Sequence, residues 1–329
     1  MGSEKSSILV RFESVGDADR RVAGVAAAAR VVRDLAQRGV PSIRLACPGG
    51  GPLARATMDD LARLRGDAAV EILDEEDAPD TPDTETIRAP RPSAAAILKA
   101  TGKPGDGPVS RWLNRPVSQR ISRLLLTIPG IRPIHATAGT AILAILMFAA
   151  LVAGGPAGLI AGGLLFHAAS VFDGVDGEIA RATFRSSAAG ATIDTVVDIA
   201  TNLLFILGVT IGLAARVGPQ AYLVGGWGLL LFLIGLAALA LGARADRPFS
   251  LESLKDLHRF PGRIFPNVMA AATIVSSRDF FALLFALLIL AGTSMAVLYI
   301  FAGAATVWIV FVLFALAVPR RTPSAQRSA

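Results

Sequence analysis

Two long stretches without charge restrict what this chain can fold into. Residues 133–172 and 280–318 contain no Asp, Glu, Lys or Arg. A helix needs about 20 apolar residues to cross the hydrocarbon core of a bilayer. Each stretch is therefore long enough for two spans, with breaks at 154–157 and near 292–294, where small and turn-forming residues interrupt the apolar run. A break near Gly303 is the alternative for the second stretch.

The composition of the whole chain agrees with this assignment. Its 329 residues are 53% hydrophobic and the mean hydropathy is +0.56, which is more apolar than a soluble protein. The net charge of +6 comes mainly from arginines beside apolar runs, which predicts contact with anionic lipid headgroups and not with nucleic acid. A single cysteine excludes an internal disulfide and fits a reducing compartment.

Two further apolar segments, at about 190–215 and 221–243, bring the number of predicted spans to six. The turns after the first, third and fifth spans contain one basic residue together, whereas the loops on the opposite side contain many. Because basic loops stay in the cytoplasm, we expect both chain termini to be cytoplasmic, in a protein of the cell inner membrane. The predicted fold is an all-α domain of six transmembrane helices at residues 133–329.

Four aspartates lie between the second and third predicted spans: Asp173, Asp176, Asp194 and Asp198. They form pairs three and four residues apart, so each pair lies on one face of a helix. An ionised Asp inside a spanning helix costs about 2.5–3.5 kcal/mol, so four require a balancing cation. Oxygen ligands alone favour Mg²⁺ or Mn²⁺. Two such ions about 3.5–4 Å apart would suit a displacement at phosphorus.

The same stretch, DGVDGEIARATFRSSAAGATIDTVVD, contains the pattern DxxDGxxAR…G…DxxxD and thereby resembles the CDP-alcohol phosphotransferase family. All eight fixed positions agree: Asp173, Asp176, Gly177, Ala180, Arg181, Gly190, Asp194 and Asp198. The resemblance implies a membrane enzyme that moves a phosphoalcohol group from a CDP-alcohol donor to an acceptor hydroxyl and releases CMP. Such an enzyme would act in the biosynthesis of phospholipids or polar phosphodiesters.

The resemblance also implies roles for these residues. The four aspartates would surround two divalent ions, and Asp198 would in addition be the general base. Arg181 would meet the donor diphosphate, while Gly177, Ala180 and Gly190 would border the bound CDP-alcohol. A homodimer is implied in the same way.

The N-terminal residues 1–77 read as a small α/β domain. Strands are predicted at 7–12, 41–47 and 68–73, alternating with helices at 21–37 and 57–64, and this alternation favours a parallel sheet. Residues 21–45 resemble the segment after the nucleotide loop of sugar-phosphate nucleotidyltransferases, but the glycine-rich loop itself is missing. We therefore expect a degenerate, non-catalytic cytoplasmic domain, followed by a solvated linker at 78–100.

Residues 101–132 are basic and amphipathic, as in a helix that lies in the membrane interface. They resemble the juxtamembrane helix of bifunctional inositol-phosphate cytidylyltransferase and di-inositol-phosphate phosphate synthases. That resemblance implies that four of its residues lie close to donor or acceptor phosphates: Asp106, Arg111, Asn114 and Arg115. The alternative is a plain membrane anchor.

The segment 244–279 is polar and basic. It is either an ordinary cytoplasmic loop or an amphipathic lid. As a lid, it would direct Arg259, Arg263 and Arg278 toward an acceptor phosphate.

Two other functions remain open for the chain. Acidic residues in spanning helices also form the ion and proton relays of transporters, and an inactive scaffold could use its N-terminal domain to recruit a partner. Relays scatter their acids through the membrane, whereas these four cluster at one interface. The sequence leaves open whether the donor is CDP-diacylglycerol or an inositol-type CDP-alcohol.

Overall fold

A computed structural model of the chain describes residues 7–49, 51–74, 84–103, 105–242 and 277–317. The chain divides into two compact units. The first comprises Met1–Pro104, Ser118–Pro133 and Val175–Ser186, and the second comprises Gly105–Val117, Ile134–Gly174 and Ser187–Ala329.

The N-terminal part of the first unit is an α/β domain. Its elements in chain order are β1 (Ser7–Arg11), α1 (Val15–Asp19), β2 (Arg21–Val22), β3 (Val25–Ala26), α2 (Ala27–Gln37), β4 (Ser42–Ala46), α3 (Arg55–Leu64), β5 (Ala69–Leu73), β6 (Thr84–Arg88) and α4 (Ala94–Ala100). Four strands form a parallel sheet in the order β5-β4-β1-β6. The predicted parallel α/β domain is confirmed.

Two local predictions in this domain differ from the structure. The helix expected from residue 21 begins at 27, because β2 and β3 first form a short antiparallel ribbon. The ribbon turns at Ala23 and Gly24, whose φ angles are +46° and +80°. Within the predicted linker, β6 pairs with β1 and α4 buries Leu98. The acidic, proline-rich composition around residues 75–83 concealed the short segment TETIR that follows, whose β-branched Thr84, Thr86 and Ile87 favour a strand.

Cys47 lies at the end of β4 and is 2% exposed. Burial, together with the charges of Asp19 and Asp74, raises the pKa of its thiol to about 11. Because the thiolate is the nucleophile, iodoacetamide at pH 8 should leave most of Cys47 unmodified in the folded protein and should modify it fully in denaturant. Mass spectrometry of the intact chain measures the modified fraction. Rapid, complete labelling of the native protein would show that this packing is wrong.

The rest of the chain is helical. A π-helical turn, Ser110–Asn114, precedes α5 (Arg115–Leu125). Six further helices follow: α6 (Pro133–Ala153), α7 (Gly155–Ala182), α8 (Ala188–Val217), α9 (Gln220–Gly242), α10 (Arg278–Leu290) and α11 (Ser294–Ala317). The breaks at residues 154 and 292 lie where the sequence predicts them, and helix α11 continues through Gly303.

Four of these helices, α6 to α9, are long and apolar enough to cross a membrane, as expected of an integral membrane protein. Helix α10 has 13 residues. At 1.5 Å per residue it extends about 20 Å, less than the roughly 30 Å hydrocarbon core. Helix α11 has 24 residues, and its segment Ser294–Val310 is an apolar helix shorter than the four candidate spans. Helices therefore occupy all six predicted places, while six complete spans remain a prediction.

A column of aromatic rings packs three helices of the second unit together. Phe166 of α7 stacks on Phe205 of α8 with 3.8 Å between ring centroids, and Phe205 lies 5.9 Å from Phe285 of α10. Asp173, Asp198 and Arg278 each lie seven residues, or about two helical turns, from one of these rings on the same helix. The aromatic column thus aligns the helices so that their polar ends meet.

Candidate active site

The second unit brings three carboxylates together. Asp173 of α7 and Asp194 and Asp198 of α8 each offer an oxygen, and these oxygens lie within 4.8 Å of one another. All three residues are half-buried. Three carboxylate oxygens at this spacing fit a hard divalent cation, so the residues present suit the metal that the sequence predicts. Asp176, on the next turn of α7, belongs to the first unit, is 8% exposed and lies outside this cluster.

Arg278, at the start of α10, binds two members of the cluster. Its Nη1 lies 2.9 Å from Oδ2 of Asp173 and also donates to Oδ1 of Asp198. Its Nε and Nη2 are buried and have no hydrogen-bond partner among the described residues. The sequence analysis named Arg278 as a candidate for an acceptor phosphate if the segment is a lid. In the structure Arg278 is a counter-charge within the acidic cluster.

Asp279 anchors the start of α10. Its Oδ1 accepts hydrogen bonds from Nδ2 of Asn114 at 2.9 Å and from Oγ of Ser170 at 2.8 Å. Ser170 lies one turn before Asp173 on α7, so the same helical face holds both the anchor and the cluster. The sequence analysis missed Ser170 and Asp279, although Asp279 directly follows Arg278 and Ser170 lies three residues before Asp173.

Three of the four juxtamembrane residues predicted to lie near phosphate, Asp106, Arg111 and Arg115, are bonded to one another. Arg115 binds both carboxylate oxygens of Asp106, at 2.8 and 3.2 Å, and Nη2 of Arg111 donates to the Asp106 carbonyl at 3.3 Å. Arg259 and Arg263 lie outside the described residues.

The remaining signature residues lie at the end of α7 and the start of α8. Nε of Arg181 donates to the carbonyl of Thr101 at 2.8 Å. A Cβ on Gly177 would lie 3.0 Å from Nη1 of Arg181, so this glycine makes room for the guanidinium. The amide of Gly190 donates to Oγ of Ser187, the N-cap of α8. Ala180 is half-buried on the same turn as Arg181.

A buried carboxylate, Glu178, lies between Gly177 and Arg181 in the sequence. Glu178 is 0% exposed and accepts hydrogen bonds from Oγ of Ser118 and Oγ of Ser122, each at 2.6 Å. The two serines lie one turn apart on α5, so α5 and the end of α7 are bonded within the first unit. The spacing of Ser118 and Ser122 was the available signal, but it did not identify their partner.

Comparison with known proteins identifies the family to which this site belongs. A family model described as CDP-alcohol phosphatidyltransferase matches residues 133–308, which is more than half of the chain. The chain belongs to the CDP-alcohol phosphatidyltransferase family. The signature, the three converging carboxylates and the apolar helices all lie in the matched region, and this supports the transferase interpretation over the transporter.

Several curated proteins are similar to part of the chain. One from Thermococcus kodakarensis is 38% identical over 119 residues, covering 36% of this chain and 25% of the relative. One from Aquifex aeolicus is 43% identical over 102 residues, covering 31% of this chain and 22% of the relative. One from Rubrobacter xylanophilus is 35% identical over 169 residues, covering 51% of this chain and 38% of the relative. Each is named a bifunctional IPC transferase and DIPP synthase, and this chain spans less than half of their length.

Proposed function

We propose that this protein is a membrane transferase that moves a phosphoalcohol group from a CDP-alcohol to an acceptor hydroxyl. The observation that carries the proposal is the convergence of Asp173, Asp194 and Asp198 at the family signature. A new bond forms between the acceptor oxygen and the donor phosphorus. The bond from that phosphorus to CMP breaks, and CMP leaves with the electron pair.

Mg²⁺ or Mn²⁺ would be held by Asp173, Asp194 and Asp198, with Asp176 contributed by the next turn of α7. Bound there, divalent ions would neutralise the donor diphosphate and the charge that develops on the leaving CMP. Asp198 would take the proton of the acceptor hydroxyl, and its effectiveness depends on its position beside that hydroxyl.

Other residues would bind the substrates. Arg181 would face the donor diphosphate, as its guanidinium suits phosphate oxygens, and Gly177, Ala180 and Gly190 would border the donor. On the acceptor side, the candidates are Arg111, Arg115, Arg259 and Arg263. For Arg115, phosphate binding requires release from Asp106, to which it is paired by two bonds.

The names of the relatives favour a polar, inositol-type phosphoalcohol, and CDP-diacylglycerol is the second donor to test. The distribution of basic residues favours six spans, with the active site and both termini on the cytoplasmic side of the membrane. It also favours contact with anionic lipids. We place the domain boundaries at 100 and 132, because β6 and α4 belong to the N-terminal domain. We regard that domain as non-catalytic and propose a homodimer.

The proposal is tested by incubating purified protein and Mg²⁺ or Mn²⁺ with CDP-diacylglycerol, CDP-inositol or other CDP-alcohols and a panel of acceptor alcohols, and measuring CMP. We expect acceptor-dependent CMP release with one class of donor. If no donor yields CMP, and proteoliposomes instead take up a solute in response to an ion gradient, the transporter interpretation replaces this one.

A further inference from the structure

The turn that follows Arg181 is held by arginines of the α/β domain. Nη2 of Arg30, on α2, donates to the carbonyl of Ala182 at 2.7 Å. Nη1 of Arg63, on α3, donates to the carbonyls of Thr183 and Phe184 at 3.1 and 3.3 Å. All of these residues belong to the first compact unit.

These bonds satisfy a physical requirement of the helix end. The last carbonyls of an α-helix have no partner within the helix, and the C-terminus carries a partial negative charge that cations stabilise. Arg30 is itself fixed, because it also donates to the carbonyls of Val22 and Ala23 at 2.8 and 2.9 Å. Burial lowers the pKa of Arg30 to about 10, so it stays charged at neutral pH.

Phe184 adds a second attachment between the turn and the α/β domain. Its ring lies 3.8 Å from the guanidinium of Arg33 and 5.2 Å from that of Arg30, and it packs against the α/β core. Its φ angle is +57°, a left-handed conformation that costs energy in a bulky residue. Such a conformation persists where surrounding contacts impose it, and here the α/β domain provides those contacts.

The α/β domain also approaches the turn at a glycine. A Cβ at Gly24 would lie 2.8 Å from Leu126 and 3.1 Å from Thr183. The absence of a side chain at Gly24 therefore permits this contact, and its positive φ permits the turn between β2 and β3.

We propose that the N-terminal α/β domain is a positioning module for the transferase, in which Arg30 and Arg63 hold the end of α7 so that Arg181 faces the donor. Arg181 immediately precedes Ala182, and its own Nε is bonded to Thr101 at the end of α4. Elements of the N-terminal region thus hold both the guanidinium and the turn behind it. This inference rests on the proposed function, because it assigns Arg181 to the donor diphosphate.

The test uses the full-length Arg63→Gln variant. Loss of the two bonds to the turn should raise the KM for the CDP-alcohol about tenfold, since charge-assisted hydrogen bonds are stronger than neutral ones. The kcat should change less than the KM, because Asp198 and the metal ligands are untouched. Arg63→Lys should recover part of the loss.

Arg21→Gln provides a matched control. Arg63 and Arg21 both pair with Asp60, at 2.9 and 3.2 Å. Arg21→Gln therefore removes an ion pair to the same carboxylate and a hydrogen bond to the carbonyl of Gly24, but none of the bonds to the carbonyls of residues 182–184. Its KM should stay within about twofold of wild type. An equal rise in both variants would assign the effect to Asp60 and overturn the inference.

A double-mutant cycle separates positioning from a general loss of stability. If Arg63 acts through Arg181, Arg63→Gln should add nothing to the KM of the Arg181→Gln variant, whereas independent effects would add. Hydrogen exchange across residues 179–186 should rise in Arg63→Gln and not in Arg21→Gln. Additive effects on KM, or unchanged exchange, would contradict the inference.

The same assays distinguish the two proposals. Wild-type protein that releases no CMP with any donor refutes the proposed function and this inference with it. Active wild-type protein together with an Arg63→Gln variant of wild-type KM refutes the inference alone.

Discussion

Replacing Asp198 with Asn should lower CMP release between about a hundredfold and ten-thousandfold, the range typical of a lost general base. Asn has nearly the same shape but neither the negative charge that a metal requires nor the basicity to accept a proton. The helix and its aromatic packing on Phe205 remain, so the variant should enter the membrane and purify as the wild type does. The rate is measured as CMP formed per unit of protein at saturating donor.

Asp59→Asn is the control for this prediction. Asp59 lies exposed on α3, outside the acidic cluster. Its replacement removes one carboxylate of the same kind and should leave the rate of CMP release within about twofold of wild type, as expected for a surface substitution. An Asp198→Asn variant that kept the wild-type rate would show that Asp198 neither holds a metal nor takes a proton.

Replacing Arg278 with Ala should strengthen Mn²⁺ binding about tenfold or more. Arg278 donates to Asp173 and Asp198, two of the three carboxylates that would hold the ion. It therefore competes with the metal for their oxygens and also repels it. A unit charge at about 4 Å contributes roughly 1 kcal/mol in water and 4 kcal/mol at a protein surface. Titration of detergent-solubilised protein with Mn²⁺, followed by electron paramagnetic resonance, measures the affinity.

Arg278→Lys is the matched variant, because it keeps the charge and loses the planar fork. Its affinity should stay closer to wild type than that of Arg278→Ala. In excess chelator, Arg278→Ala should also melt at a lower temperature than wild type, since three carboxylates that lie close together lose the positive charge of Arg278. Weaker Mn²⁺ binding in Arg278→Ala would mean that Arg278 supports the metal site and does not compete with it.

Local patterns predicted much of this structure. Alternating strands and helices predicted the parallel sheet, and apolar segments located all six C-terminal helices and the breaks at residues 154 and 292. The spacing within the signature placed Asp194 and Asp198 on one face of α8. These features follow from neighbours within a few residues, which sequence periodicity reports directly.

The parts that were missed depend on contacts between distant residues. Arg278 is separated from Asp198 by 80 positions, and Asp279 from Ser170 by 109. Nothing near Arg278 in the sequence indicates that it approaches the acidic cluster. The signal was instead a repeated interval of seven residues between Phe166 and Asp173, Asp198 and Phe205, and Arg278 and Phe285. It becomes interpretable only when the rings are seen to stack.

The contacts of Arg30 and Arg63 with the end of α7 are long-range as well, at separations of 152 and 120 positions. In the sequence these arginines look like the ordinary charged face of two amphipathic helices. Because the N-terminal α/β domain lacks the nucleotide loop, the sequence predicted only a degenerate domain. Its helices nevertheless hold the turn that follows Arg181.

The central claim is that the carboxylates of α7 and α8 jointly hold a divalent ion on which CMP release depends. The most direct measurement is to titrate chelator-treated protein with Mn²⁺ and to record bound metal and CMP release in the same samples, for wild type and for Asp173→Asn. The account predicts saturable binding, CMP release that rises with occupancy, and loss of both in Asp173→Asn. Undiminished CMP release in excess chelator, or wild-type Mn²⁺ binding by Asp173→Asn, would contradict it.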